Sequence, residues 1–309
     1  MKKILGSPIT WPVLGCIILY ALICAITGQV NFAVLANGLK LCVFALLLGV
    51  AQMIVVTSGR GAIDISQKYI LTLTAYISCA VMEHNILLGL VAAILVGMVC
   101  GLINGSVSTF LNIHAMITTM ATGYVYYSVI LVISNQVPNS PNKSFVKFIN
   151  SSVLGINTMT LMALAIVVAL YFVLYRSKYG MHLHATGQNR PAAALAGIQV
   201  KKTVITAFVI NGALCGLAGA LNAAYCGGAN QDLGTTYFLP SIAACFVGGT
   251  NAGGGRSNII AVAVGAFMMT LMSTFLNAAH ITVGAQRLIQ GVFIVLLLCA
   301  ATRNPNKKA

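Results

Sequence analysis

Charge is what this 309-residue sequence has least of: 6% of its residues are Asp, Glu, Lys or Arg, where soluble domains carry roughly a quarter. A water-facing surface cannot be built from so few, which excludes a soluble globular protein. Acid is scarcer still. Asp64, Glu83 and Asp232 are the three carboxylates, little material for a proton relay of buried acids. The nine cysteines (16, 24, 42, 79, 100, 215, 226, 245, 299) include no CxxC pair and no metal-ligand spacing, so they read as small core residues. Trp11 is the single tryptophan and fits an interface anchor. Val13-Leu14-Gly15-Cys16 has the outline of a lipoprotein cleavage box, but Trp11 and Pro12 interrupt the hydrophobic region such a box needs. The first apolar run is therefore expected to be an uncleaved span.

What is abundant is apolar sequence, 59% of the chain. A bilayer core takes about 20 apolar residues per helix, and the polar breaks leave ten candidate spans. They lie near 11 to 28, 40 to 57, 69 to 82, 86 to 111, 115 to 135, 157 to 175, 204 to 226, 238 to 250, 258 to 279 and 285 to 302. The third and eighth are short. The expectation is one all-α integral membrane domain over residues 1 to 309 with about ten transmembrane helices. The formal charge of +14 fits this without nucleic acid, because most of the cations lie between spans and form no continuous patch. If residues 1 to 10, 59 to 68, 112 to 114, 176 to 203, 253 to 257 and 303 to 309 face the cytoplasm, 13 of the 17 Lys and Arg residues lie inside. That bias predicts both termini cytoplasmic.

The two short segments are related. Asp64, Tyr69, Leu71 and Ala75 recur as Asp232, Tyr237, Leu239 and Ala243 at a constant offset of 168. Five spans per half would invert the second copy, so the pattern predicts two inverted five-helix repeats with short or broken helices in corresponding places. Gly97, Gly101 and Gly105 line one helical face, as do Gly212 and Gly216, which predicts close helix crossing within the subunit.

Several motifs invite catalytic readings and fail them. The run Gly248-Gly249-Thr250-Asn251-Ala252-Gly253-Gly254-Gly255-Arg256-Ser257 lacks the Gly-Lys-Ser/Thr ending of a nucleotide-binding loop and follows an apolar span where that loop would follow a strand. A tight turn at the membrane surface is expected. His182 and His184 have no Cys or carboxylate nearby to complete a metal site, and His114 and His280 lie near span ends. No Ser/His/Asp or Cys/His arrangement is visible. The chain is expected to have no ATPase site, cofactor or metal of its own.

Residues 176 to 203 form the longest cytoplasmic segment. Asn189 can cap a helix with Pro191 in its first turn, three alanines favour that helix, and Gly197 can end it. A short surface helix framed by cations follows.

Ala185-Thr186-Gly187-Gln188-Asn189-x3-Ala193-Ala194-x2-Gly197-Ile198, read with Ala196, resembles the cytoplasmic coupling segment of ribose-type ABC importer permeases. Gly61-Ala62-Ile63-Asp64-Ile65-Ser66 is similar to that family's Gly-Gly-Ile-Asp-Leu-Ser, and Gly101-Leu102-Ile103-Asn104-Gly105 to its Gly-x-Ile-Asn-Gly. Ile242 to Thr250, with Gly253 and Gly254 after it, resembles its Ile-Ala-Ala-x3-Gly-Gly-Thr and the glycine pair that follows. The resemblance runs from about residue 45 to the C-terminus.

It implies a bacterial inner-membrane permease that pairs with a second permease copy or a paralogous permease. Two copies of a cytoplasmic ATP-binding domain would drive it, and a periplasmic solute-binding protein would deliver a small sugar-like solute. Gly187, Asn189, Ala193, Ala194, Gly197 and Ile198 carry over to ATPase coupling; Asp64, Ser66, Asn104, Gly248 and Gly249 carry over as signature residues of pathway or packing. The sequence departs from the family at Gln67, Lys68 and Tyr69, where Val-Gly-Ser is usual, at Pro240, and at Arg60. The alternative reading is a self-sufficient secondary transporter or channel, which would need a midplane ionisable cluster; Asp64 and Asp232 are expected near opposite surfaces.

Overall fold

Helices carry nearly all of the regular structure in the computed structural model, which describes residues 9–30, 32–153 and 155–302. The terminal stretches expected on the cytoplasmic side lie largely outside the described residues. In chain order the helices are α1 (Thr10–Thr27), α2 (Phe32–Thr57), α3 (Gln67–Met82), α4 (Ile86–Phe110), α5 (Ala115–Ile133), α6 (Lys143–Asn150), α7 (Thr158–Arg176), α8 (Lys178–Gln188), α9 (Arg190–Leu195), α10 (Val200–Cys226), α11 (Thr235–Val247), α12 (Ile259–Ala278) and α13 (Val283–Thr302). A two-residue hairpin, β1 (Ser152–Val153) with β2 (Ile156–Asn157), joins α6 to α7. A helix stands at each of the ten apolar positions, and seven (α1, α2, α4, α5, α7, α10 and α12) are long and apolar enough to cross a membrane.

Local chemistry sets the boundaries. Asn85, Asn142, Asn157, Asn189 and Asn258 each accept backbone N–H groups at the start of α4, α6, α7, α9 and α12, satisfying donors that a helix leaves open there. Gly28 and Gly227 end α1 and α10 in the left-handed region.

Packing sorts the helices by depth in the bundle. The apolar window of α2 is 78% buried and that of α10 67%, against 11% for α1 and 28% each for α4, α5 and α7. α2 and α10 thus form the centre, and the others turn Leu, Ile and Val outward as a membrane protein must. The α4–α10 crossing is set by glycine, as its spacing predicts. A Cβ on Gly97 or Gly101 would strike the carbonyls of Gly212 or Phe208, and one on Gly216 would strike that of Ala93. Backbone rests on backbone, giving dispersion contact that larger residues would forbid.

Residues 62 to 68 correct the reading of 59 to 68 as a surface loop. Ala62, Asp64, Ser66 and Gln67 are buried, and the Gln67 amide donates to Leu48 O on α2 and to Asn211 on α10. Leu48 is the seventeenth of 26 residues in α2, and Asn211 the twelfth of 27 in α10. The chain therefore turns back into the bundle and starts α3 about halfway through it. Polarity alone assigns such a stretch to water; here its polar groups find protein partners instead. The position of Asp64 is corrected with it, from near a surface to mid-bundle. The α5–α7 connection holds a second surprise. Helix α6 buries Phe145 and Ile149 there, and Lys40 Nζ donates to Asn150 Oδ1 at 2.9 Å.

Candidate functional site: a capped surface helix on a backbone junction

Two arrangements concentrate the signature residues. At one end of the bundle, α8 and α9 cross the ends of α2 and α7. Asn189 is extended (φ −157°) and its Oδ1 accepts from Ala192 N at 3.1 Å. Gly197 is left-handed (φ 81°), and Ile198 N reaches back to Ala193 O at 3.0 Å. The helix between them is thus stopped at both ends by the residues that the sequence marked. Ala193 faces the protein and is buried, whereas Ala194 and Gly197 are exposed and Ile198 is partly so. Leu195, which the sequence motif did not single out, is 92% exposed, more than any other large apolar side chain described. Nothing in its sequence neighbourhood distinguishes outward from inward; the signal is only that a leucine stands in an alanine-rich turn.

Gly187 lies beneath this helix. A Cβ there would meet Thr57 O and Gly255 N, one on Gly59 would come 2.9 Å from Gly187 O, and one on Gly254 would strike the Gly59 Cα. Gly255 N donates to Thr57 O at 3.0 Å, and Arg190 Nη2 to Ser58 O at 3.1 Å. The glycine run is a tight turn, as expected. Gly249, Gly254 and Gly255 have positive φ. The N–H groups of Gly253 and Gly254 are spent on Asn251, and that of Gly255 on Thr57, so these three consecutive glycines do not form a phosphate cradle. Gly248 is buried, its Cα side closed by the backbone of Val262. His184 Nδ1 lies 3.3 Å from Gly255 O, and its ring stacks on Tyr175 at 5.9 Å. Burial lowers the His184 pKa, with the Gly255 hydrogen bond acting weakly the other way.

Beside α9 opens a cavity of about 790 Å³, lined by Arg60, His114, Arg190, Ala194, Lys201 and Lys202 among others, with no carboxylate. Burial, and secondly the charge of Arg60, lower the Arg190 guanidinium to about 10, so it stays protonated at neutral pH. The Lys201 ammonium lies 5.4 Å from the ring centre of Phe110.

The second arrangement is at mid-bundle. Asp64 Oδ1 accepts from Ser66 N at 2.8 Å and Ser66 Oγ at 2.6 Å, and Oδ2 accepts from Asn211 Nδ2. Asn104 Nδ2 donates to Ser66 Oγ at 2.7 Å, while Asn104 Oδ1 accepts from Thr122 Oγ1 at 2.6 Å and Tyr126 OH at 3.1 Å. Ile65 N donates to Thr119 Oγ1 at 3.0 Å. The Asp-x-Ser and Ile-Asn-Gly signatures are thereby one network joining α3, α4, α5 and α10, and each carboxylate oxygen of Asp64 has a donor. Gln67, Thr119, Thr122, Tyr126 and Asn211 belong to it as well. The available signal for them was an amide or hydroxyl inside an apolar run. Among the described residues no group of three His, Cys, Asp or Glu could hold a metal ion.

The family profile described as the branched-chain amino acid transport system, permease component, matches residues 13–300. The D-allose transport system permease protein of Escherichia coli K12 is 28% identical over 306 residues, covering 95% of this chain and 93% of the relative. The ribose import permease protein of the same strain is 28% identical over 253 residues, 79% of this chain and 77% of its own length. The autoinducer 2 import system permease protein of Salmonella paratyphi B is 24% identical over 218 residues, 68% and 66%. No solved structure matches. With a profile that spans nearly the whole chain, the chain belongs to this permease family.

Proposed function

We propose that the chain is the membrane-spanning permease subunit of an ATP-driven importer, carrying a monosaccharide or sugar-like solute across a bacterial inner membrane. The observation that carries the coupling part of this reading is α9, a helix capped at both ends that holds Ala194 and Leu195 outward. A short rigid helix with one apolar side chain offered to solvent suits insertion into a groove of a separate ATPase, so that closure of the ATPase moves the bundle as a body. Arg60, Arg190, Lys201 and Lys202 beside it suit an acidic rim on that partner. The family profile is named for branched-chain amino acids, but allose, ribose and autoinducer 2 permeases are the similar proteins; they favour a sugar cargo.

In this reading the α8–α9 face is cytoplasmic, both termini lie on that side, and ten helices span or partly span the bilayer. Two inverted repeats fit the packing. A shift of 168 carries the first residues of α2, α3 and α5 onto those of α10, α11 and α13. Under the same exchange, α4 against α10 corresponds to α12 against α2, and α3 against α5 to α11 against α13; all four pairs pack together. The departure is local, since α8 and α9 are inserted where α1 and α2 are joined by a few residues. A second permease, two ATP-binding subunits and a periplasmic binding protein complete the assembly.

Coexpression of the chain with its ATPase and binding protein, reconstitution into proteoliposomes and measurement of ATP-dependent sugar uptake test the proposal. Bulky substitutions at Ala194 or Gly197 should abolish uptake while ATP hydrolysis by the ATPase subunits persists. Uptake at full rate by the purified chain alone would refute it.

A further inference from the structure

Lys68 stands where a cation is costly. It opens α3 next to Gln67, whose amide reaches the middle of α2 and of α10, so Lys68 lies at mid-depth of the bundle and is half-buried. Its ammonium is 4.6 Å from the ring centre of Tyr69 and 5.5 Å from that of Phe238 on α11. The Tyr69 ring lies 5.4 Å from Tyr127 and 6.0 Å from Tyr124, both on α5. Two glycines make room for this cluster. A Cβ on Gly123 would come 2.9 Å from the Tyr69 ring, and one on Gly234 would strike the Lys68 carbonyl.

The recorded partners of the ammonium are ring faces, and among the described residues no carboxylate pairs with it. Asp64, four residues away, is taken up by Ser66 and Asn211. Aromatic quadrupoles offset part of a cation's charge, yet they accept none of its N–H groups as an oxygen would. An ionisable group at this depth faces a hydrated path or an opposite charge, and broken helices are where transport proteins bind cargo. The surrounding tyrosines offer flat faces for the C–H surface of a sugar ring and hydroxyl edges for its oxygens. Tyr124 is 54% exposed on the outer surface of α5, so the cluster opens out of this chain, where a second permease copy would close it.

We infer that Lys68, framed by Tyr69, Tyr124, Tyr127 and Phe238, is the mid-membrane solute station, and that its solute is an anionic sugar derivative bearing a carboxylate or phosphate. The inference rests on the permease reading and adds a solute class to it.

Binding of radiolabelled glucuronate, ribose 5-phosphate and ribose to the permease–ATPase complex in nanodiscs tests it. At least one anionic sugar should bind tenfold or more tightly than ribose; Lys68→Met should erase that preference, and Lys68→Arg should keep most of it. Copurification of ATPase with each variant reports assembly separately. Equal binding of all three sugars, or a preference that survives Lys68→Met, overturns the inference and leaves the permease reading intact. Failure of the wild-type chain to copurify with any ATPase overturns the permease reading itself.

Discussion

Asn211 donates its side-chain amide to the carboxylate of Asp64, joining two residues 147 positions apart at the centre of the bundle. Asp64 has no exposed surface, so its carboxyl group is satisfied by hydrogen bonds alone. Asn211→Leu removes the donor to Asp64 Oδ2 and the acceptor of the Gln67 amide. A loss of about 1–3 kcal/mol is expected, the range for leaving a buried hydrogen-bond partner unsatisfied. The double variant Asp64→Leu/Asn211→Leu should cost less than the sum of the two single variants, because each removes the other's partner. Thermal unfolding of the three variants in detergent, arranged as a cycle with wild type, checks this.

Gly212 and Gly97 bring the backbones of α4 and α10 into direct contact. Gly212→Val puts a branched side chain against the Gly97 carbonyl, and neither backbone can step aside without breaking its helix. The cost should exceed the roughly 1–3 kcal/mol of an overpacked side-chain core. The yield of folded chain after solubilisation is the measurement; Gly284→Val, where an added Cβ would meet no other element within 4 Å, is the control.

Leu195 is offered to solvent with no partner in this chain, so Leu195→Ala should leave the unfolding temperature within about 1 °C of wild type. ATPase affinity should fall roughly thirtyfold, as for an interface anchor worth about 2 kcal/mol. Copurification titrated against ATPase concentration reads the effect.

His184 has a lowered pKa in the folded protein, so it binds protons less readily there than in the unfolded chain. Its contribution to stability is full above the unfolded value and is lost as the pH falls through the folded one. Limited proteolysis of the α8–α9 segment should therefore accelerate below about pH 6.5. His184→Gln should flatten that pH profile.

How much of this was legible follows from the range of the forces involved. A helix falls at each apolar run, and seven of them are long and apolar enough to cross a membrane, because length and apolar content are local properties. The ends of α9 were legible for the same reason: Asn189 and Gly197 act on backbone within a few residues of themselves. Residues 62 to 68 were not, since what sinks Asp64 and Gln67 into the bundle is Asn211 and Leu48, far away in sequence. Helix α6 escaped because eight residues carry too little apolar content to register as a span. The outward direction of Leu195 depends on which face of α9 the α2 end covers, and a sequence does not state that.

The meeting of Gly59, Gly187 and Gly254 has a mechanical meaning. At that point the end of α2, the α8–α9 segment and the α11–α12 turn touch without intervening side chains. A side-chain contact can absorb a small displacement by changing rotamer; peptide planes pressed together cannot. The joint consequently has almost no backlash, and a displacement of a fraction of an ångström in the α8–α9 segment would reach the end of α2 and the α11–α12 turn at once.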